Sequence, residues 1–172
     1  MNSSESPSIQ IPPPLELGII SDTHGQLRPQ LFHLLDGVDH ILHAGDLGPL
    51  DLLVELETLA PVTIVPGNTD GFDLRDKVPL VQRLRLGGLE TVVTHGHQFG
   101  SPDPAQLSQA FPQADLIVFG HTHQPLLEER NGTWFVNPGS CGPRRFQLPV
   151  SLVRARITTE GFSGRVLHLD EG

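Results

Sequence analysis

The chain has 172 residues, 37% hydrophobic and 18% charged, with a formal net charge of −9 and a single cysteine. That length fits one domain with a real core, and the lone Cys141 excludes an internal disulfide. Lys77 and ten arginines are the only basic side chains, too few for the basic stripe that long DNA or RNA requires, and no apolar run reaches the roughly 18 residues of a membrane span.

Residues 1–14, MNSSESPSIQIPPP, are rich in Ser and Pro and read as a flexible tail; they lack the basic start and apolar core of a secretory signal. With no evidence of an oxidising compartment, a cytoplasmic location is the expectation. From Leu15 the pattern is apolar run, turn, amphipathic run, and residues 15–172 are expected to form one domain. LELGII, HILHA, VTIVP, ETVVT and DLIVF are short, apolar and bounded by Gly, Asp, Asn or Pro, which predicts buried strands. RPQLFHLLDG and PLDLLVELETLA place Leu at helical spacing and predict crossover helices, with PAQLSQAF as a weaker third. TWFVN, SLVRARITT and RVLHLDE predict strands with no helix between them, so the last third reads as a meander. Two packed sheets with helices outside, a layered α/β sandwich, accommodate this order.

Five of the apolar runs end in residues able to bind metal. These are Asp22 and His24, Asp46, Asn68, His95, and His121 with His123. Ligands in open α/β sheets gather beyond the carboxyl ends of strands, so five such ends can deliver five loops to one crevice. The intervals Asp22–Asp46, Asp46–Asn68, Asn68–His95 and His95–His121 are 24, 22, 27 and 26 residues, each fitting a strand and its return. Gly25, Gly45, Gly67, Gly96 and Gly120 sit beside the ligands, where sharp turns and close backbone approach are needed. Seven ligands exceed what one ion takes and suit two ions sharing a carboxylate, a known device for displacement at phosphorus. Carboxylate, amide and imidazole donors without thiolate suit Mn²⁺, Fe²⁺, Ni²⁺ or Zn²⁺.

The order D-x-H, G-D, G-N-x-D, H-G-H, G-H-x-H resembles the calcineurin-like metallophosphoesterase superfamily, and within it the small single-domain phosphodiesterases of bacteria and archaea. The likeness runs from Leu15 to the NPGS at Asn137–Ser140. It implies a four-layer α/β/β/α sandwich of two mixed sheets with flanking helices, and a dinuclear site with Mn²⁺ as the expected ion. It also implies Asp22, His24, Asp46 and His123 at one ion, and Asp46, Asn68, His95 and His121 at the other, with Asp46 as the bridge. Two ions about 3.5–4 Å apart would lower the pKa of a water between them, and that hydroxide would attack phosphorus in line.

Other residues near these blocks have two readings each. Asp70 either orients a ligand imidazole or stabilises its turn. His97 either contacts substrate and protonates the leaving group or is a solvated loop residue. Asn68 can use its oxygen on metal and its amide N–H on phosphate. The NPGS turn is expected chiefly to shape its loop. Arg144 and Arg145 either bind phosphate or lie in a solvated loop. His33 and His168 read as surface residues, and His43 as a strand-end hydrogen-bonding residue. Relatives that cleave monoesters or nucleic acid often carry His at the position of Thr69. Thr is a poor acid, so the enzyme either uses another acid, such as His97 or a metal-bound water, or prefers good leaving groups; a small or activated phosphodiester fits better than a broad range of monoesters. Competing readings are a scaffold binding a protein partner, as in a retromer subunit with this fold, and a nuclease, which the acidic pI near 5.3 disfavours. Small relatives are often dimers or tetramers, so a homo-oligomer is compatible with the resemblance.

Overall fold

The computed structural model describes residues 9–169. In chain order the elements are β1 (Gln10–Ile11), β2 (Leu15–Ile20), α1 (Pro29–Leu34), β3 (His40–His43), α2 (Asp51–Glu57), β4 (Val62–Ile64), α3 (Phe72–Arg75), β5 (Val81–Leu86), β6 (Leu89–Thr94), α4 (Pro104–Ala110), β7 (Leu116–Val118), β8 (Leu126–Arg130), β9 (Thr133–Asn137), β10 (Ser151–Thr158) and β11 (Gly161–His168). A single 3₁₀ turn covers His97–Phe99.

The strands form two mixed sheets, one ordered β1-β5-β6-β7-β9-β8 and the other β11-β10-β2-β3-β4. In the second sheet β2, β3 and β4 run parallel, with Ile19 opposite Leu42 and Leu42 opposite Thr63. In the first, β6, β7 and β9 run parallel, with Val92 opposite Ile117 and Ile117 opposite Phe135. The centres of the parallel strands are rich in apolar residues because both faces are covered. Leu15, Leu17 and Ile19 of β2 and Val153, Ala155 and Ile157 of β10 pack between the sheets against Leu84, Leu86, Leu116 and Val118. Leu31, Leu35, Leu52 and Leu56 bring α1 and α2 onto the outer face of the second sheet, over Ile20, Ile41 and Ile64. Leu107 and Phe111 close the outer face of the first sheet over Val92, Ile117 and Phe135. Each such fully buried side chain contributes about 1.5–3 kcal/mol. The four layers expected from the sequence are therefore present.

Local signals explain the helix ends. Pro29 opens α1, where its fixed φ suits the first turn. Asp103 and Gln106 form a reciprocal capping box at the start of α4.

Three expectations change. The tail does not extend through residue 14: Gln10 and Ile11 pair in parallel with Arg85 and Leu86, and Ile9 and Ile11 pack on the core between the sheets. Residues 1–8 lie outside the described residues. The last third is not one meander, because β8 and β9 pair within the first sheet while β10 and β11 pair within the second. Three strands beyond those expected, β1, β5 and β8, complete the first sheet.

Candidate metal centre

The carboxyl ends of β2, β3, β4, β6 and β7 carry Asp22 and His24, Asp46, Asn68, His95, and His121 and His123. Five of these seven residues, Asp22, His24, Asp46, His121 and His123, take positive φ, between 45° and 75°. Non-glycine residues avoid that region, and their gathering at one place marks a site whose side-chain directions are imposed by the surrounding fold. Glycines supply the clearance. A Cβ at Gly67 would collide with the Asp46 carboxylate, and one at Gly45, where φ is +105°, would lie 2.7 Å from His95 Nδ1.

Two buried carboxylates form the centre. Asp22 Oδ1 lies 3.6 Å from His24 Nε2, 3.9 Å from His95 Nε2 and 3.3 Å from His123 Nε2. Asp46 Oδ2 lies 3.6 Å from His24 Nε2 and 3.3 Å from His95 Nε2. Asp46 thus faces imidazoles from two loops, and Asp22 does so as well. The groups Asp22–His24–His123 and Asp22–Asp46–His95 each bring their ligand atoms within 4.8 Å of one another. The imidazoles also fall into two pairs, His24 with His123 at 5.4 Å between ring centroids and His95 with His121 at 5.1 Å. His97 sits behind them, 5.4 Å from His95 and 6.4 Å from His121.

Hydrogen bonds fix one side of Asp22, Asp46 and His95 and leave the other turned inward. Ser21 Oγ (2.6 Å) and the His121 amide (3.2 Å) donate to Asp22 Oδ2, so Oδ1 points inward. The Thr69 amide donates to Asp46 Oδ1 at 2.9 Å, leaving Oδ2 inward. His95 Nδ1 lies 2.7 Å from the carbonyl oxygen of Ala44, which can only accept, so the proton is on Nδ1 in the neutral ring. His95 Nε2 then offers a lone pair, 3.1 Å from Asn68 Oδ1, which also offers one. Two facing acceptors repel unless a cation or proton sits between them. Buried Asp22 Oδ1 and His24 Nε2 have no hydrogen-bond partner. A set of converging lone pairs without donors is what a divalent cation needs, and the residues present fit it.

Electrostatics agree. Burial pushes the Asp22 carboxyl up, but the imidazoles of His123, His24 and His95 outweigh it and hold the group well below the usual carboxylate range. Asp46 follows the same logic, burial opposing and His95 and Thr69 prevailing, and is lowered to about 2. Both are therefore charged at neutral pH.

Asp70 contacts no imidazole. Its Oδ2 accepts the amides of Asp46 (2.9 Å) and Gly67 (2.8 Å), and its Oδ1 those of Leu47 (2.9 Å) and Gly48 (3.2 Å). It ties the Asp46 loop to the Asn68 loop, so the turn reading replaces the imidazole-orienting one. His43, fully buried beneath the site, accepts the Gly45 amide on Nδ1 (3.1 Å) and faces Thr23 Oγ1 with Nε2 (3.1 Å), a strand-end role as expected. Burial lowers its pKa to about 4. The NPGS turn shapes loops: Asn137 Nδ2 donates to Gly120 O at 3.2 Å, and Ser140 Oγ donates to the Asp22 carbonyl at 2.8 Å. Arg144 and Arg145 are exposed on the loop that follows, and His33 and His168 are exposed at the surface. Ser21, which buttresses Asp22 through its hydroxyl, is a site residue that no spacing rule pointed to.

Comparison with known proteins agrees with this geometry. Residues 15–160 match the calcineurin-like phosphoesterase superfamily domain. The chain is 35% identical over 163 residues to a probable metallophosphoesterase of Methanothermobacter thermautotrophicus, covering 88% of this chain and 91% of that one. It is 31% identical over 161 residues to the phosphodiesterase YfcE of Escherichia coli, covering 80% and 85%. Its fold superposes on vacuolar protein sorting 29 of Cryptosporidium parvum with a TM-score of 0.77 at 20% identity, covering 92% and 99%. Among the described residues no helix is long and apolar enough to cross a membrane. The chain belongs to the calcineurin-like phosphoesterase superfamily, as a hydrolase acting on phosphoric ester bonds.

Proposed function

We propose that the protein is a metal-dependent phosphodiesterase holding two divalent ions, with Mn²⁺ as the working ion, in a single catalytic domain acting on small diesters in the cytoplasm. The observation that carries this reading is the convergence of inward acceptors: Asp22 Oδ1 and His24 Nε2 are buried and unpartnered, Asp46 Oδ2 faces the imidazoles of His24 and His95, and His95 Nε2 faces Asn68 Oδ1. Asp22, His24, Asp46 and His123 would hold one ion, and Asp46, Asn68, His95 and His121 the other. The pairing of His24 with His123 and of His95 with His121 supports that division. When bound, the ions supply Lewis acidity toward phosphoryl oxygens and activation of the attacking water.

The chain's own residues do the rest. The Asn68 amide N–H can donate to a phosphoryl oxygen while its carbonyl oxygen faces the metal side. His97, half-buried at the edge of the cluster with an unpartnered Nδ1, is placed to hand a proton to the leaving oxygen. Thr69 cannot do so, and its amide is already committed to Asp46. A site without a strong acid at that position suits a leaving group that departs readily, which favours activated diesters over monoesters.

The expected result is hydrolysis of bis-p-nitrophenyl phosphate that requires added Mn²⁺ and disappears in Asp46→Asn. Metal-loaded protein inactive on every diester tried would sink the reading. A protein-binding scaffold is the second reading, suggested by the likeness to vacuolar protein sorting 29. That likeness carries the fold alone, and the full complement of acceptors is what a scaffold would have no need to keep. Two equivalents of tightly held metal in the purified protein would favour the enzyme.

A further inference from the structure

The helix α3 follows directly on the Asn68–Asp70 block and projects two unusual side chains from the rim of the crevice. Leu74 anchors it in the core, which turns Phe72 and Arg75 outward. Phe72 is 75% exposed, among the largest exposures of any apolar side chain in the described residues. The Arg75 guanidinium lies over its ring, 5.8 Å from the centroid. Arg85, Arg130, Arg154 and Arg156 each pair with a glutamate, whereas Arg75 forms no ion pair among the described residues. Arg75 is also close enough to His97, beside His95 and His121, for the two side chains to interact electrostatically.

An exposed phenyl ring costs solvation and contributes nothing to the core. Its use here is to hold a guanidinium still, since an arginine stacked on an aromatic face gives up less freedom on meeting an anion. A planar cation with free donors beside an anion-binding crevice is a ready partner for phosphate or carboxylate.

We propose that Arg75, steadied by Phe72, is a specificity-determining residue that takes an anionic group of the substrate other than the reacting phosphoryl group. The inference rests on the phosphodiesterase reading and narrows it, because diesters carrying a second phosphoryl or carboxylate group become the preferred class. Phe72 acts through Arg75 as a positioning residue.

The test uses two nucleotides that differ by one phosphate. Calorimetry on the Mn²⁺-loaded protein should show thymidine 3′,5′-bisphosphate bound about tenfold more tightly than thymidine 5′-phosphate. Arg75→Met should abolish that preference while leaving the monophosphate affinity and the Mn²⁺ content unchanged. Phe72→Ala should reduce the preference only in part. The p-nitrophenyl esters of the same pair should show the same ratio in kcat/KM, carried by KM. Equal binding of the two by wild-type protein overturns the proposal. So does a preference that survives Arg75→Met, or one lost in Arg145→Met instead. Failure of wild-type protein to cleave either ester would count against the phosphodiesterase reading, while the calorimetric ratio would still decide the role of Arg75.

Discussion

The carboxylate of Asp70 holds Asp46 by its backbone, its Oδ2 accepting the Asp46 amide at 2.9 Å. The same carboxylate binds the amides of Leu47, Gly48 and Gly67, so one buried side chain closes four donors from two loops. Asp70→Asn puts an NH₂ group against some of those N–H donors. Hydrogen bonds to a charged acceptor are worth about 1.5–3 kcal/mol each, and loss of the arrangement should cost about 3 kcal/mol of stability. Because Asp46 would no longer be fixed, Mn²⁺ affinity should fall roughly 10–100-fold. Urea unfolding and a metal titration check both, and a variant that loses stability but binds Mn²⁺ normally would separate Asp70 from the metal site.

Metal should also stabilise the fold. Asp22 and Asp46 are charged, buried and close together, and imidazoles and a few hydrogen-bond donors, but no cationic side chain of Lys or Arg, compensate them. Mn²⁺ at about 100 times its dissociation constant should add about 2.7 kcal/mol, which for a chain of this size raises the melting temperature by roughly 5–10 °C. Excess EDTA should reverse the gain. Asp22→Asn should melt at a temperature that Mn²⁺ barely moves.

The metal-free protein should lose stability in mild acid through His43. Its folded pKa is lowered to about 4 by burial, against about 6.5 unfolded. The unfolded chain therefore binds a proton that the native state refuses. The stabilising contribution is complete above pH 6.5 and is lost as pH falls toward 4, reaching about 3 kcal/mol. His40, also lowered by burial, acts in the same direction. Asp22 and Asp46, whose pKa values are lowered from 3.8, lose their contribution only further into acid. Urea midpoints of EDTA-treated protein between pH 7.5 and 4.5 measure the slope. His43→Gln should flatten it, and an unchanged slope would mean that other groups carry the effect.

Most of the site was readable because the chemistry comes as strand, glycine, ligand, and that order survives in the linear sequence. LELGII before Asp22 and DLIVF before His121 are apolar apart from Glu16 and Asp115, which marks strands covered on both faces. β5 escaped although VQRLRL alternates, because Gln82, Arg83 and Arg85 dilute its apolar signal. Gln10 and Ile11 escaped because prolines at 12–14 dominate their neighbourhood, while their pairing with Arg85 and Leu86 is a contact across 75 residues that no local rule sees. The role of Asp70 was open for the same reason. Asp-Gly at the end of a GNTD block signals a turn, but the three amides it reaches at residues 46–48 are distant in sequence. Arg75 gives no motif at all; only folding brings its charge within electrostatic range of His97.

Thr69 provides the sharpest test of substrate class. Its amide binds Asp46 Oδ1 and its side chain is exposed at the mouth of the crevice. Replacement by His keeps the amide, so the Asp46 contact should persist, and adds an imidazole able to protonate a leaving oxygen. General acid assistance matters most for poor leaving groups and is worth roughly 10²–10⁴-fold where it operates. Thr69→His should therefore raise hydrolysis of an alkyl phosphomonoester by about tenfold or more. Hydrolysis of bis-p-nitrophenyl phosphate, whose leaving group needs no proton, should change by less than about threefold. The ratio of the two rates, measured at the same Mn²⁺ loading, cancels any shared loss of metal or stability. A ratio that stays at the wild-type value would show that the acid is supplied elsewhere, with His97 the next residue to replace.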